Sequence, residues 1–307
     1  MQQQGDSKES VSIIVPVYGE SGMIDSIVAR IRATMDGLGV WYEIIVVNDG
    51  SHDETQEKAE SAGARVISHP YNIGNGAAVK TGIRHARGSV LVMLDGDGQH
   101  APEDIPKLLE KVGPYDMVVG ERKGMSQSPL HRTMANTFYN WFASYMCRRK
   151  INDLTSGFRA IKRQIARRFL YLLPNGFSYP TTLTMAAVRS GYSLTYVPIQ
   201  MLRRTGKSKI RIFRDGVRFF LIILKIATLF SPMRVFLPVS CMMFLTGFIY
   251  GLFKIIMLDA RYGPTSAMLM TISVVVFMVG LVSEQIAQLR FDRSEQVDEP
   301  FEDRDGR

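Results

Sequence analysis

Ser89-Val90-Leu91-Val92-Met93-Leu94-Asp95-Gly96-Asp97-Gly98-Gln99 joins a short apolar run to an acidic turn. The run reads as a buried strand, and the two glycines leave the backbone after it free to turn sharply. Asp95, Asp97 and Gln99 stand at alternate positions, two carboxylates and a carboxamide at a strand end. Magnesium and manganese take oxygen ligands in octahedral geometry, usually one or two carboxylates completed by substrate phosphates and water. The trio supplies that kind of partial shell, with room for a diphosphate. A polar turn that happens to be acidic is the plainer alternative, and this stretch alone leaves it open. A helix-loop-helix calcium loop is excluded, because its sixth position is His100 rather than glycine and no glutamate occupies its twelfth.

Working back from that turn, Val11 to Val17 has strand character with Pro16 limiting it to its end, and Glu20 to Leu38 carries Ile24, Ile27, Val28, Ile31 and Met35 at helical spacing. A second strand, Glu43 to Val47, stops at Asn48-Asp49-Gly50-Ser51, where Ser51 is expected to cap a helix with Asp53 and Glu54 in its first turn. A third strand, Ala64 to Ser68, leads to Asn72-Ile73-Gly74-Asn75-Gly76 and a helix from Ala77 to Ala86. Strands alternating with helices at this spacing predict an α/β fold with a mostly parallel sheet, whose ligands collect at the carboxyl ends of strands. The turns at Tyr18 to Glu20, Asn48 to Ser51 and Asp95 to Gln99 then line one crevice. The glycine loop is neither a dinucleotide fingerprint nor a P-loop: the third glycine is missing, and Val79 precedes Lys80-Thr81. Its amides facing a phosphate or ribose and its glycines serving a tight turn are both open readings.

Beyond the acidic turn, Pro102 to Lys111 reads as a helix, Met117 to Gly120 as a strand, Glu121 to Ser128 as a loop, and Pro129 to Cys147 as a helix bearing Arg132 and Asn136. A second polar cluster runs from Asn152 to Arg159. Taken singly, the arginines of this region read as solvated surface.

The 307 residues have room for one substantial domain and something smaller beside it. Val235 to Phe253 and Tyr262 to Ser283 contain no charged residue. The second is long enough to cross a bilayer, and the first becomes so if Arg234 and Lys254 snorkel. The amino-terminal octet lacks the apolar core of a signal peptide, so the first domain is expected in the cytosol. Two distant cysteines imply no disulfide framework, and the five histidines show no ligand spacing. The net charge of +8 is concentrated in Arg203, Arg204, Lys207, Lys209, Arg211, Arg214 and Arg218, beside the first span. That position favours anionic lipid and cytoplasmic placement over nucleic-acid binding. Residues 210–230 form an amphipathic basic pattern suited to the membrane interface, or alternatively to packing on the soluble domain. The expected order is therefore a disordered stretch over 1–10, a globular domain over 11–209, the juxtamembrane helix, a two-helix transmembrane hairpin over 231–288 and an acidic cytoplasmic tail over 289–307. The protein would be a multi-pass protein of the cytoplasmic membrane.

Ile14-Val15-Pro16-Val17-Tyr18-Gly19-Glu20, Val47-Asn48-Asp49-Gly50-Ser51-His52-Asp53, the spaced glycines from Asn72 to Gly82, and Asp95-Gly96-Asp97-Gly98-Gln99-His100-Ala101-Pro102-Glu103 together resemble family 2 glycosyltransferases. The nearest branch is that of the polyprenyl-phosphate glycosyltransferases, which includes dolichol-phosphate mannose synthases. The resemblance covers residues 11 to about 209, and the two carboxy-terminal spans suit the branch. It implies a GT-A fold that binds a nucleoside diphosphate sugar. By carry-over, Pro16, Tyr18, Glu20, Asp49, Gly76, Asp95 and Gly96 would contact the donor, and Arg203 and Lys209, with Gly206 and Ser208, would close over its diphosphate. Asp95, Asp97 and Gln99 would hold Mg2+ or Mn2+. Arg122, Arg132 and Ser128 would face the acceptor phosphate, and Asp97, Asp153, Arg122 and Arg132 would form the catalytic set. Some relatives carry an aspartate where this chain has Gly157, which leaves Asp153 as the carboxylate of that turn.

The resulting expectation is inverting transfer from a UDP- or GDP-hexose to a polyprenyl phosphate, undecaprenyl or dolichyl, at the cytoplasmic face. A phosphate monoester is largely dianionic at pH 7, so positioning by arginine forks matters more than a strong base. Elongation of a polysaccharide is disfavoured, because Trp41 and Trp141 are the only tryptophans and neither sits in a Gln-x-x-Arg-Trp setting. A non-catalytic nucleotide-sugar sensor is the third reading, and the intact Asp95, Asp97 and Gln99 speak against it. Self-association through the spans is compatible with the sequence.

Overall fold

The computed structural model describes residues 10–122, 130–176, 178–199, 221, 224–225, 227–229, 231–258 and 263–296, with helical backbone alone for 130–136 and 290–296. The chain divides into two compact units, Met1–Phe220 and Leu221–Arg307.

The first unit is built on one sheet in the order β3-β2-β1-β4-β6-β5-β7. Its strands are β1 (Val11–Val17), β2 (Tyr42–Asn48), β3 (Arg65–Ser68), β4 (Val90–Met93), β5 (Met117–Arg122), β6 (Arg159–Lys162) and β7 (Leu194–Ile199). β1 and β4 are buried along their whole length, as strands covered by helices on both faces must be. β1 pairs in parallel with β2 on one side and β4 on the other. Pro16 is tolerated in this central strand because pairing with β4 ends at Ile14↔Met93, so the missing N–H would have met no ladder acceptor there. β6 is antiparallel to both β4 and β5, while β7 returns parallel to β5. The expected mostly parallel sheet is present, with one reversed strand inserted.

α1 (Ile24–Asp36) turns Ile24, Ile27, Val28, Ile31 and Met35 into the core. It starts later than the apolar pattern suggests, since Met23 N and Ile24 N both donate to Glu20 O and close a turn first. α2 is Thr55–Ser61, α3 Asn75–His85, α4 Ile105–Leu109, α5 Leu130–Cys147, α6 Arg163–Arg168 and α7 Tyr179–Arg189. The residue preceding α2 is Glu54, and no side chain caps that helix. Ser51 instead accepts a hydrogen bond from Gly19 N at 3.0 Å, tying the β1 and β2 turns together.

In the second unit α8 (Met233–Leu258) and α9 (Pro264–Gln296) pack side by side. Gly247 lets α8 approach Leu269 and Ser266 of α9, and Gly280 receives Phe236. Small residues at such crossings are what bring membrane helices close. Met233–Met257 and Pro264–Leu289 are each long and apolar enough to span a bilayer, and only 17% of either apolar window is buried, unlike a core helix of a soluble domain. Pro264 opens α9, whereas Pro238 lies inside α8 rather than at its end.

Candidate active site

The chain leaves β1 toward β2 and β3 on one side and returns to β4 on the other, so β1 and β4 flank the point where the strand order reverses. Crevices open at the carboxyl ends of strands there. The acidic turn fills that place. Gly96 is pressed onto the end of β1: a Cβ on it would lie 2.5 Å from Val17 Cγ1 and 3.0 Å from Pro16 O. Gly98 adopts φ +69°, a left-handed turn that glycine enters without strain. Gln99 N donates to Asp97 Oδ1 at 3.2 Å. Among the described residues no hydrogen-bond donor reaches the Asp95 carboxylate, which is about one-third exposed; its nearest basic neighbour is His100 Nδ1, 4.0 Å from Oδ2.

His100 is a contributor that the sequence did not single out. It is buried, stacks on Phe158 with ring centroids 5.3 Å apart, and accepts a hydrogen bond from Asp95 N at Nδ1. Burial pushes its pKa down against the opposing pull of Asp95 and Asp97. A neutral ring with an accepting Nδ1 therefore props the turn. Across from it, Gly157 has no side chain because none fits: a Cβ there would stand 2.5 Å from Asp95 Oδ2. Asp95, Asp97 and Gln99 are hard oxygen donors of the type Mg2+ or Mn2+ prefers. Among the described residues no cluster of three or more Asp, Glu, His or Cys is placed to hold a metal by itself.

On the β2 side Tyr18 is half exposed at the rim and available to a flat ligand. Glu20 N donates to Thr55 Oγ1, and Ser21 N to Asp53 Oδ2. Asp49 is buried and heavily engaged. Its Oδ1 takes Ile73 N at 3.0 Å and His69 Nδ1 at 2.7 Å, its Oδ2 takes Gly74 N at 2.8 Å, and His69 continues to Thr81 Oγ1 at 2.9 Å. The carboxylate thus shapes the turn into α3. The glycine loop packs against protein: Ala77 N donates to Asn175 O, and Gly76 lies with its Cα against Pro174 O and Gly176 O. Gly74 turns the chain at φ +124°, and Gly76 is the second residue of α3.

The register Val119↔Arg159 carries Arg122 at the end of β5 to the turn before β6. Arg122 and Asp153 form a two-pronged ion pair, Nε to Oδ2 and Nη2 to Oδ1, each 2.7 Å, and Nη2 also reaches Thr155 Oγ1 at 2.5 Å. Burial alone would raise the Asp153 pKa; the hydrogen bonds and charge of Arg122, with backbone donors at Arg122 and Thr155, outweigh it and hold the carboxyl below its usual range. Arg159, expected among surface arginines, is fully buried and held by Pro180 O, Thr184 Oγ1 and Ser156 O.

Ser128, Arg203, Lys209 and the side chain of Arg132 lie outside the described residues, as do most of 210–230 and the tail beyond 296. One surface was missed from the sequence. α5 exposes Phe138, Trp141 and Tyr145, with Phe138–Trp141 and Trp141–Tyr145 centroids 5.9 and 6.4 Å apart, and the exposed Arg148, Arg149 and Lys150 follow it. Its signal was legible as aromatics at a spacing of three and four.

Residues 12–170 match glycosyl transferase family 2, and residues 231–289 match the GtrB C-terminal hairpin. The undecaprenyl-phosphate 4-deoxy-4-formamido-L-arabinose transferase of Klebsiella pneumoniae is 27% identical over 92% of this chain and 90% of its own. A dolichyl-phosphate hexose transferase of Haloferax volcanii is 30% identical over 68% of this chain and 90% of its own. Among solved structures, glucosyl-3-phosphoglycerate synthase from Mycobacterium tuberculosis, in complex with Mn2+, uridine diphosphate and glucosyl-3-phosphoglycerate, superposes with a TM-score of 0.60 at 19% identity, over 72% of this chain and 81% of that one. That likeness is one of fold, the GT-A type. The family match covers more than half of the chain and its motifs stand at the crevice just described. The chain belongs to glycosyl transferase family 2, in its polyprenyl-phosphate glycosyltransferase branch.

Proposed function

We propose that the protein transfers a hexose from a UDP- or GDP-sugar to a polyprenyl phosphate, with inversion and with a divalent cation. The observation that carries this reading is the Asp95 carboxylate, close against Gly157, one-third exposed at the switch-point turn and without a hydrogen-bond donor among the described residues. A carboxylate left in that state is placed for a cation. Two relatives are named for transfer to undecaprenyl and dolichyl phosphate, and the mycobacterial neighbour binds UDP with Mn2+. The relatives' names support the acceptor class, and the neighbour's ligands are consistent with a nucleoside diphosphate donor.

A cation held by Asp95, Asp97 and Gln99 would neutralise the leaving diphosphate. The chain's own groups do the rest. Tyr18 at the rim and the turn pinned by Asp49 receive the nucleoside, while Arg122, with Arg132 and Ser128, receives the acceptor phosphate. Arg203 and Lys209 cover the diphosphate. The acceptor oxygen is already charged at pH 7, because the second pKa of a phosphate monoester is about 6, so attack needs alignment more than deprotonation. The exposed aromatics of α5, followed by three cations, have the composition of a surface that meets lipid headgroups. The basic sequence before α8 supports a cytosolic catalytic unit, by the positive-inside rule.

The test is a donor panel. Purified protein in liposomes is given undecaprenyl phosphate and each of several UDP- and GDP-hexoses, and lipid products are read by mass. A hexosyl phosphoryl lipid formed with Mn2+ or Mg2+ and lost with EDTA is the expected result. No lipid product with any donor removes the acceptor assignment, and undiminished transfer in EDTA removes the metal.

A further inference from the structure

A guanidinium has five N–H bonds, and their disposition in Arg122 is fixed by what surrounds it. Nε–H and one Nη2–H are taken by the two oxygens of Asp153, and the other Nη2–H by Thr155 Oγ1. Nε–H and the first Nη2–H lie on one edge of the planar group, and the second Nη2–H points off its end beside Nη1. Among the described residues the two N–H bonds of Nη1 meet no acceptor. The side chain is 16% exposed, so the group is not sealed from a ligand. Asp153 is just as fully used: besides Arg122 it accepts Thr155 N and Ser156 N, each at 3.2 Å. Neither of its oxygens is free to take a proton from an incoming nucleophile.

We propose that Asp153 and Thr155 are positioning residues, a clamp that holds the Arg122 guanidinium edge-on so that its Nη1 edge receives the acceptor phosphate. This rests on the polyprenyl-phosphate reading above. Asp153 is thereby removed from the role of general base, and Thr155, a residue with no assigned part in the reaction, gains one. The pairing also sets the charge. Because Asp153 neutralises Arg122 locally, this arginine contributes direction to the phosphate more than net attraction, and a point-charge lysine would not replace it. The Thr155 hydroxyl also donates to Asp153 Oδ1 at 3.4 Å, so it belongs to the clamp on both sides, and its removal matters to the acceptor only while the Arg122 fork is present.

A double-mutant cycle on the full-length protein in liposomes tests this, with undecaprenyl phosphate and the preferred donor. Thr155→Val keeps the side-chain shape and removes the hydroxyl that accepts from Arg122 Nη2 and donates, at a long 3.4 Å, to Asp153 Oδ1; acceptor KM should rise about five- to tenfold with donor KM and Tm little changed. In an Arg122→Lys background the same substitution should change acceptor KM less than about twofold. In Asp153→Asn the acid limb of the kcat–pH profile should stay where the acceptor phosphate titrates, whereas a general base would take that limb with it. Equal effects of Thr155→Val in both backgrounds, a donor KM that rises as much as the acceptor KM, no change in acceptor KM, or loss of the acid limb in Asp153→Asn would each overturn the clamp. Failure of the underlying reading shows separately, as absence of transfer by the unsubstituted protein.

Discussion

Gly157→Ala isolates the Asp95 site from the stability of the fold. The added Cβ would stand 2.5 Å from Asp95 Oδ2 and 3.0 Å from both Cγ and Oδ1, where ordinary contact begins at 3.4 Å. Rotating the carboxylate in place cannot relieve this, because Cγ itself is too close; the whole group must withdraw by about 0.9 Å, the difference between 3.4 and 2.5 Å. It can do so, since the side chain is one-third exposed toward the crevice. The φ of Gly157 is not in the left-handed region, so alanine is compatible with the backbone. Fewer unfolded conformations then offset about 0.4–1 kcal/mol of the roughly 1–3 kcal/mol that overpacking costs. A displacement near 1 Å at a reacting centre lowers rate about a hundredfold, or about 2.7 kcal/mol in kcat/KM. Metal-dependent binding of nucleoside diphosphate, followed by calorimetry with Mn2+ and with EDTA, and kcat/KM should both collapse while Tm moves by only a few degrees. Metal-dependent kcat/KM within about threefold of the unsubstituted enzyme would refute the placement of Asp95 as a cation ligand.

Gly50→Ala should behave in the opposite way. Its φ is +76°, and a Cβ would lie 2.5–2.8 Å from backbone atoms of Tyr71 and Asn72, which cannot step aside, so thermal unfolding should show a loss of about 2 kcal/mol or more. Asp153 has its folded pKa depressed, so its contribution to stability is present above its unfolded value, about 3.9, and is lost as pH falls through the folded value. Asp153→Asn should therefore shrink the difference in unfolding free energy between pH 7 and pH 3, measured by denaturant titration. Trp141→Ala with Tyr145→Ala should reduce transfer to undecaprenyl phosphate in liposomes several-fold and leave transfer to a water-soluble short-chain phosphate unchanged, if the exposed face of α5 meets lipid.

The sequence shows local structure where one residue's environment is set by its neighbours along the chain. β1 and β4 are uninterrupted apolar runs, and Asp-x-Asp at a strand end announces its turn directly. The apolar stretches behave likewise: α8 contains the first and extends it at both ends, and α9 takes up the second from Pro264 and runs on past Ser283. What stayed hidden depends on partners far along the chain. β6 is four residues long and includes an arginine, which reads as surface; that arginine is buried because Pro180 O and Thr184 Oγ1 reach it from more than twenty residues away. Ser51 looked like a helix cap and instead serves Gly19 N, 32 residues back. His69 and His100 carried no ligand spacing, yet each comes to rest beside an aspartate of a strand-end turn. Gly76 suggested a phosphate cradle, and its bare Cα makes room for the Pro174–Gly176 backbone.

Three aspartates sit at three strand-end turns, and composition cannot tell them apart. Their partners can. Asp49 accepts two backbone N–H groups and a histidine, Asp153 accepts three backbone N–H groups and an arginine fork, and Asp95 accepts none among the described residues. A carboxylate already satisfied has little to gain from a cation, so it organises backbone; one left unsatisfied beside a crevice has its lone pairs to offer. The division is physical rather than positional. It follows that replacing Asp49 or Asp153 by asparagine should disturb geometry in a graded way, through KM and stability. Asp95→Asn should leave the fold intact and abolish the metal dependence of donor binding, and retention of that dependence would mean that the unsatisfied carboxylate is not the one the cation uses.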